Sequence, residues 1–173
     1  ELKLATVFRD KEEQDLPKKS TLNRKSSNLF GSISHKFFEN VDFKYNFALD
    51  NNYKNFEYNN ISANISFKNF ETTIKFIEEN GEMGDSNVLE NEIGYRFDDQ
   101  NYISFNTRRN RKLNLTEYYN LVYEYQNDCL TAGIKYKKSY YEDRDLKPTE
   151  NLLFTITLFP LTTYEHDARD LIN

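Results

Sequence analysis

The segment VDFKYNFALD places Val41, Phe43, Tyr45, Phe47 and Leu49 on one parity, and Asp42, Lys44, Asn46, Ala48 and Asp50 on the other. In NISANISFK the set Ile61, Ala63, Ile65 and Phe67 alternates with Asn60, Ser62, Asn64, Ser66 and Lys68. In CLTAGIKYKKSY, Leu130, Ala132, Ile134 and Tyr136 alternate with Thr131, Gly133, Lys135 and Lys137. Successive side chains of a strand point to opposite faces, so each segment reads as a strand with one apolar and one polar face. No window fits the helical period as well. The same test predicts about ten strands. They cover residues 2–9, 28–38, 41–50, 57–68, 70–79, 88–97, 101–109, 117–126, 129–140 and 150–160.

The connections alternate in length. ENV, KN, DDQ and QND are short and carry Asn or Asp, which tolerate turn dihedrals. The links 10–27, 51–56, 80–87, 110–116 and 141–149 are longer. Short turns at one end and long loops at the other predict an all-β fold, an antiparallel up-and-down meander of long strands. Residues 1–161 form the strand region, and 162–173 read as a C-terminal tail.

Alternation alone fits a soluble sandwich as well as a membrane barrel. Three features favour the barrel. Strands of ten or more residues exceed the roughly 5–6 usual in soluble domains. Aromatics recur toward strand ends (Tyr118, Tyr119, Tyr123, Tyr125, Tyr140, Tyr141), as interfacial girdles require. The polar parity of a helix-free meander also suits a wide aqueous lumen. Two alternatives stay open. A small self-contained outer-membrane barrel, an adhesin or a surface enzyme, needs strand 2–9 to pair with strand 150–160. A soluble lipocalin-like barrel needs Phe43, Phe47, Ile61, Ile65, Ile134 and Ile156 turned inward.

Composition narrows the field further. Hydrophobic residues make up 38% of the 173, and Phe (14) and Tyr (13) supply much of that with no Trp. A soluble core of this length would use more Leu, Val, Ile and Ala. Charged residues are interspersed at 29% with a net charge of −5, so there is no nucleic-acid footprint. No apolar run reaches the roughly 18 residues of a transmembrane helix, which leaves a β-barrel open. The chain opens on ELKLATVFRD without an initiator Met or a signal peptide, and reads as a fragment or a processed product.

Little here suggests catalysis. His35 and His166 are the only histidines, and no Ser–His–Asp order, phosphate loop or metal spacing accompanies them. The chain therefore reads as no enzyme, with no cofactor and no metal. Glu142, Asp143 and Asp145 lack calcium-loop spacing and read as a solvated turn. Lys18, Lys19, Arg24 and Lys25 in one long loop, and Arg108, Arg109, Arg111 and Lys112 at another, are either solvated loop residues or phosphate contacts.

The stretches LTEYYNLVYEYQNDC (Leu115–Cys129) and DLKPTENLLFTITLFPL (Asp145–Leu161) resemble the C-terminal end of the lipopolysaccharide-assembly LptD (organic-solvent-tolerance) family, in its alphaproteobacterial form. LPKKSTLNRKSSNLFGSISHKF (Leu16–Phe37) also fits, as a loop leading into a strand. The resemblance implies a very large outer-membrane barrel, of which about ten strands are the C-terminal portion. It implies lipopolysaccharide as cargo, outer-membrane lipids around the barrel, a plug lipoprotein of the LptE type, and a periplasmic bridge reached through an N-terminal domain missing from this chain. Lipopolysaccharide would leave sideways through a seam beside the last strand.

Under that resemblance the gate strand is Leu152, Leu153, Phe154, Thr155, Ile156, Thr157, Leu158, Phe159 and Pro160. Leu152, Phe154, Ile156 and Leu158 would face lipid, and Leu153, Thr155, Thr157 and Phe159 the lumen. Pro160 either weakens pairing at the seam or simply ends the strand. The basic loop residues Lys18, Lys19, Arg24, Lys25, Arg108 and Arg109 would meet lipopolysaccharide phosphates. Cys129, the single cysteine, either bridges to a cysteine in the missing N-terminal region or is a free thiol. Family members often carry two adjacent cysteines at this turn, and Leu130 stands in the second place.

Overall fold

The computed structural model describes residues 1–13, 15–141, 147–159 and 162–167. The strands are β1 (Leu2–Ala5), β2 (Leu29–Phe38), β3 (Val41–Leu49), β4 (Phe56–Phe67), β5 (Phe70–Glu79) and β6 (Ser86–Arg96). They continue as β7 (Asn101–Asn110), β8 (Leu115–Gln126), β9 (Leu130–Ser139), β10 (Thr149–Leu158) and β11 (Thr162–Asp167). One 3-10 turn, Lys18–Ser20, lies in the first long loop. The eleven strands form one antiparallel sheet whose spatial order is the sequence order, so the meander expected from the loop lengths is the fold. The order ends at β1 and at β11. By contacts the chain divides into two units, Glu1–Ile65 with Ile74–Leu89, and Ser66–Thr73 with Glu90–Asn173.

Beside shifts of one or two residues at most strand ends, three differences change what the sequence leads one to expect. Strand 2–9 stops at Ala5, because the chain then pairs with the far arm of its own loop. Ser27 N donates to Val7 O and Arg9 N to Lys25 O. Strand 150–160 runs from Thr149 to Leu158, and Pro160 lies outside the described residues. Residues 162–167 of the expected tail are a strand: Thr162, Tyr164 and His166 sit opposite Leu158, Ile156 and Phe154. Strand 150–160 is therefore not the last of the sheet. The acidic residues Glu142, Asp143 and Asp145 lie outside the described residues.

In the first unit, register rows cross the sheet without a break. Leu2, Ile33, Tyr45 and Ile61 share one row on the apolar face. Lys3, Ser32, Asn46 and Asn60 share one on the polar face. Ser32 Oγ donates to Asn46 Oδ1 at 2.8 Å. Gly31 lies on the apolar face between Leu4 and Phe47. The Phe47 ring fills the space that a Cβ on Gly31 would need. The glycine is thus a socket for an aromatic, which restores packing that a strand glycine otherwise forfeits.

In the second unit the apolar rows are Phe105–Leu121–Tyr136–Leu152 and Ile103–Tyr123–Ile134–Phe154. The corresponding polar row is Asn106–Asn120–Lys137–Asn151. Two short turns share one device. Asp98 accepts from the backbone N–H of Gln100 and Asn101 at 2.8 and 2.7 Å. Asn127 accepts from Cys129 and Leu130 at 3.0 and 2.9 Å. An Asx residue at the turn's start thus pairs two donors that the ladder leaves unpaired.

Two predictions concern stability. Gly31→Ala should cost about 1–3 kcal/mol by overpacking against Phe47, and Phe47→Leu in the same chain should recover part of the loss; urea titration of the folded chain in detergent reads both. The Asn101 amide and the Gln100 N–H hold the Asp98 carboxyl below its ordinary value of 3.8. A lowered folded value means stability that is present above the ordinary range and lost as pH falls through the lowered value. Asp98→Ala should therefore destabilise at neutral pH and become nearly silent in acid below that value, as followed by unfolding midpoints against pH.

Candidate functional site

Burial separates the two faces in the sense opposite to a soluble domain. Among the described residues, the buried hydrophobics are Ala48 and Val88 alone. Ile33, Ile61, Ile65, Leu121, Tyr123, Ile134, Ile156 and Leu158 are exposed. On the polar face Ser104 and Asn120 retain 7% and 8% of their surface, and Thr21, Ser27 and Asn28 are buried as well. Of the six residues that a lipocalin-like barrel would turn inward, Ile61, Ile65, Ile134 and Ile156 are exposed, while Phe43 and Phe47 are half-buried. The separation is by degree: Gly31 on the apolar face is buried, and Asp42, Lys44 and Lys135 on the polar face are exposed, but the isoleucines of the apolar rows are more open than the mid-strand amides opposite them.

The apolar face is bordered at both ends in a consistent way. In the first unit Phe37 and Phe38 stand exposed beside the turn after β2. In the second, Phe67, Phe70, Tyr95, Phe97 and Phe159 stand exposed beside short turns. This Phe-rich border differs from the Tyr set expected from the sequence. Of that set, Tyr119 and Tyr140 meet edge-to-face at 6.0 Å beside the loop ends. There the apolar rows also give way to polar pairs. Lys138 Nζ lies 2.5 Å from Glu150 Oε1 in the second unit. In the first unit Glu78 accepts from Asn59 and Asn87, both at 3.2 Å, and Asn59 accepts from Tyr45 at 2.7 Å.

The polar face is rich in amides that lack partners. Asn106 and Asn120 are opposite each other, and each has a buried Oδ1 without a hydrogen-bond donor. Asn60 Oδ1 in the first unit is in the same state. Lys137, beside Asn120 in the row, places its ammonium 5.0 Å from the centre of the Tyr118 ring. Such a surface solvates water and hydroxylated molecules. Among the described residues no group of three His, Cys, Asp or Glu side chains is placed to hold a metal. His35 packs edge-to-face on Phe37 and His166 stacks on Tyr164.

The basic residues separate into three situations. Lys18, Arg24 and Lys25 line one cavity in the first long loop. Lys19 turns away from it and reaches Glu79 at 3.3 Å. Arg108 lies 2.9 Å from Glu90 and 2.7 Å from Glu117, so two carboxylates already answer its charge. Arg109 donates to Asn114 Oδ1 at 2.6 Å. Cys129 is an exposed free thiol at the turn between β8 and β9, and its carbonyl accepts from Phe159 N. In β10, Ile156 and Leu158 are exposed and Leu152 and Phe154 half-buried. Leu153, Thr155 and Thr157 are half-buried on the other face, and Phe159, beyond the strand, is exposed.

No family model and no curated protein matches the chain.

Removing Arg108 leaves Glu90 and Glu117 without their shared cation. Arg108→Ala should lower stability by about 1 kcal/mol, the low end for charge-assisted bonds because the group is partly solvated. The same change at Lys19, in an exposed pair, should have little effect in the same unfolding assay.

Proposed function

We propose that this chain is the C-terminal part of an outer-membrane β-barrel translocon of the lipopolysaccharide-assembly type, moving lipopolysaccharide to the outer leaflet. The observation that carries the membrane part is the inverted amphipathicity: exposed isoleucines and leucines on one face, shielded amides on the other. Strands β2 to β10 hold 9 to 12 residues. A tilted strand crosses a bilayer with about 9–11. Alternating short turns and long loops, and an aromatic border at the turn side, agree with this placement.

The cargo rests on the sequence resemblance over Leu115–Cys129 and Asp145–Leu161. In this reading the lateral exit lies beside the C-terminal strands. Since β11 covers β10 over Leu153–Leu158, its short six-residue pairing is the edge that opens. Pairing between β1 and the last strand is what a self-contained small barrel requires, and the sheet order instead ends at those two strands. That favours a segment of a wider ring. The lipoprotein plug, the periplasmic bridge and a disulfide from Cys129 belong to the same proposal.

Two experiments test it in parts. Ile134→Lys should cost about 2–4 kcal/mol of insertion near the bilayer midplane, whereas Asn120→Lys on the polar face should insert normally. Protease protection in lipid vesicles measures both, and equal insertion of the two variants would overturn the membrane assignment. Deleting 149–161 from the whole protein in cells should abolish surface lipopolysaccharide, and normal surface lipopolysaccharide would remove the translocon reading.

A further inference from the structure

The link between β5 and β6, residues 80–85, is short and held at several points. At its base Ser86 Oγ donates to Glu79 Oε2 at 3.2 Å, and Asn80 N donates to Glu57 O at 2.8 Å. Gly81 sits in the left-handed region at φ 61°, and a Cβ there would meet Glu57 Oε1 at 2.9 Å. Gly84, at φ 152°, is closed in the same way by the Glu79 carboxylate. The link in turn holds the long loop between β1 and β2. Glu79 reaches Lys19 at 3.3 Å, Glu82 is paired with Arg24, and the neighbouring Glu57 accepts from Asn28 at 2.6 Å.

This link carries the one Asn-Gly pair of the chain, Asn80–Gly81. Its backbone conformation demands glycine at 81. No tie demands asparagine at 80, where the bond to Glu57 is made by the backbone and the side-chain amide has no partner among the described residues. Both residues are exposed, and the Gly81 N–H also has no acceptor among the described residues. A free backbone nitrogen beside a free side-chain amide, with no Cβ to shield the nitrogen, is set to close a succinimide. Gly81 N attacks Asn80 Cγ, its proton passes to water, and the Cγ–Nδ2 bond breaks with release of ammonia. Water then opens the ring. Attack at Cγ gives an ordinary aspartate. Attack at the backbone carbonyl gives an isoaspartate, in which the chain runs through Cβ and Cγ.

We propose that Asn80–Gly81 is a spontaneous modification site whose isoaspartyl product releases the long loop. The isoaspartyl link adds one backbone atom between the bond at Asn80 N and the ion pair at Glu82. The link has no slack to absorb it, because Gly81 and Gly84 are already closed against Glu57 and Glu79, and Glu82 Oε2 is buried. The pairs Lys19–Glu79 and Arg24–Glu82 flank the insertion and cannot both keep their spacing. The reading rests on the geometry of these loops and does not depend on a membrane.

Ageing the full chain in detergent micelles at mildly alkaline pH tests this. Peptide mass spectrometry should find Asn80 converted, with separate aspartyl and isoaspartyl peptides, before any other asparagine. Limited trypsin digestion reads the loop, since cleavage of a transiently opened segment tracks its open population. Cleavage after Lys18, Lys19, Arg24 and Lys25 should quicken by about tenfold in the aged chain. Cleavage after Arg111 and Lys112, in a different loop, should keep its rate, which separates local release from general unfolding. Asn80→Ala, aged alongside, should show neither conversion nor faster cleavage. Fresh Asn80→Asp carries the new charge without the extra backbone atom and should be cut at the unaged rate. An Asn80 that stays intact while other asparagines convert would overturn the site. Conversion without faster cleavage of the long loop would overturn the release, as would equal quickening in aged Asn80→Ala or in fresh Asn80→Asp.

Discussion

Hydrogen bonding between strands adjacent in sequence carries this structure, because the described residues bury almost no apolar side chains to carry it. Ala48 and Val88 do not amount to a hydrophobic core. In water an interstrand hydrogen bond contributes only about 0.5–1.5 kcal/mol net, since water competes for both partners. In hydrocarbon that competition disappears, and an unpaired backbone group costs several kcal/mol. A ladder without a core is thus marginal in water and strongly determined in lipid. The apolar rows Ile103–Tyr123–Ile134–Phe154 and Leu2–Ile33–Tyr45–Ile61, with Leu2, Ile33, Ile61, Tyr123 and Ile134 exposed, are what such a medium would solvate.

The side chains then specify register, which the ladder alone leaves free. Slipping by one residue would move the isoleucines of the apolar rows to the amide face. The fit of Phe47 over Gly31 works at one alignment of β2 and β3. The Asx turns at Asp98 and Asn127 fix the hairpins from their closed ends. Asn106 facing Asn120 adds a polar preference at mid-strand, satisfied by whatever hydrates that face.

Much of this was legible in the sequence, because period-two patterning records a face directly. Strand β5, Phe70–Glu79, matches its expected range to the residue, and the alternation of loop lengths gave the meander. The eleventh strand was not legible. TTYEHD offers one apolar residue, Tyr164, and its pairing depends on β10 supplying Leu158, Ile156 and Phe154. The early end of β1 was hidden for a similar reason: Val7 continues the alternation, but its backbone is claimed by Ser27. Tertiary competition for backbone donors leaves no local trace.

The basic loop residues show the same limit in the site. Lys18, Lys19, Arg24 and Lys25 look alike in sequence, as do Arg108 and Arg109. What separates them is whether a carboxylate lies within reach, and the partners come from other strands or loops: Glu79 for Lys19, Glu82 for Arg24, Glu90 and Glu117 for Arg108. An answered cation is a structural tie, because bringing an anion to it must first displace a carboxylate. An unanswered one can meet an anion without displacing a carboxylate first. Charge count alone ranks all six alike; partner geometry leaves Lys18 and Lys25 lining the cavity without a carboxylate among the described residues, and gives Arg109 an amide, Asn114, as its partner.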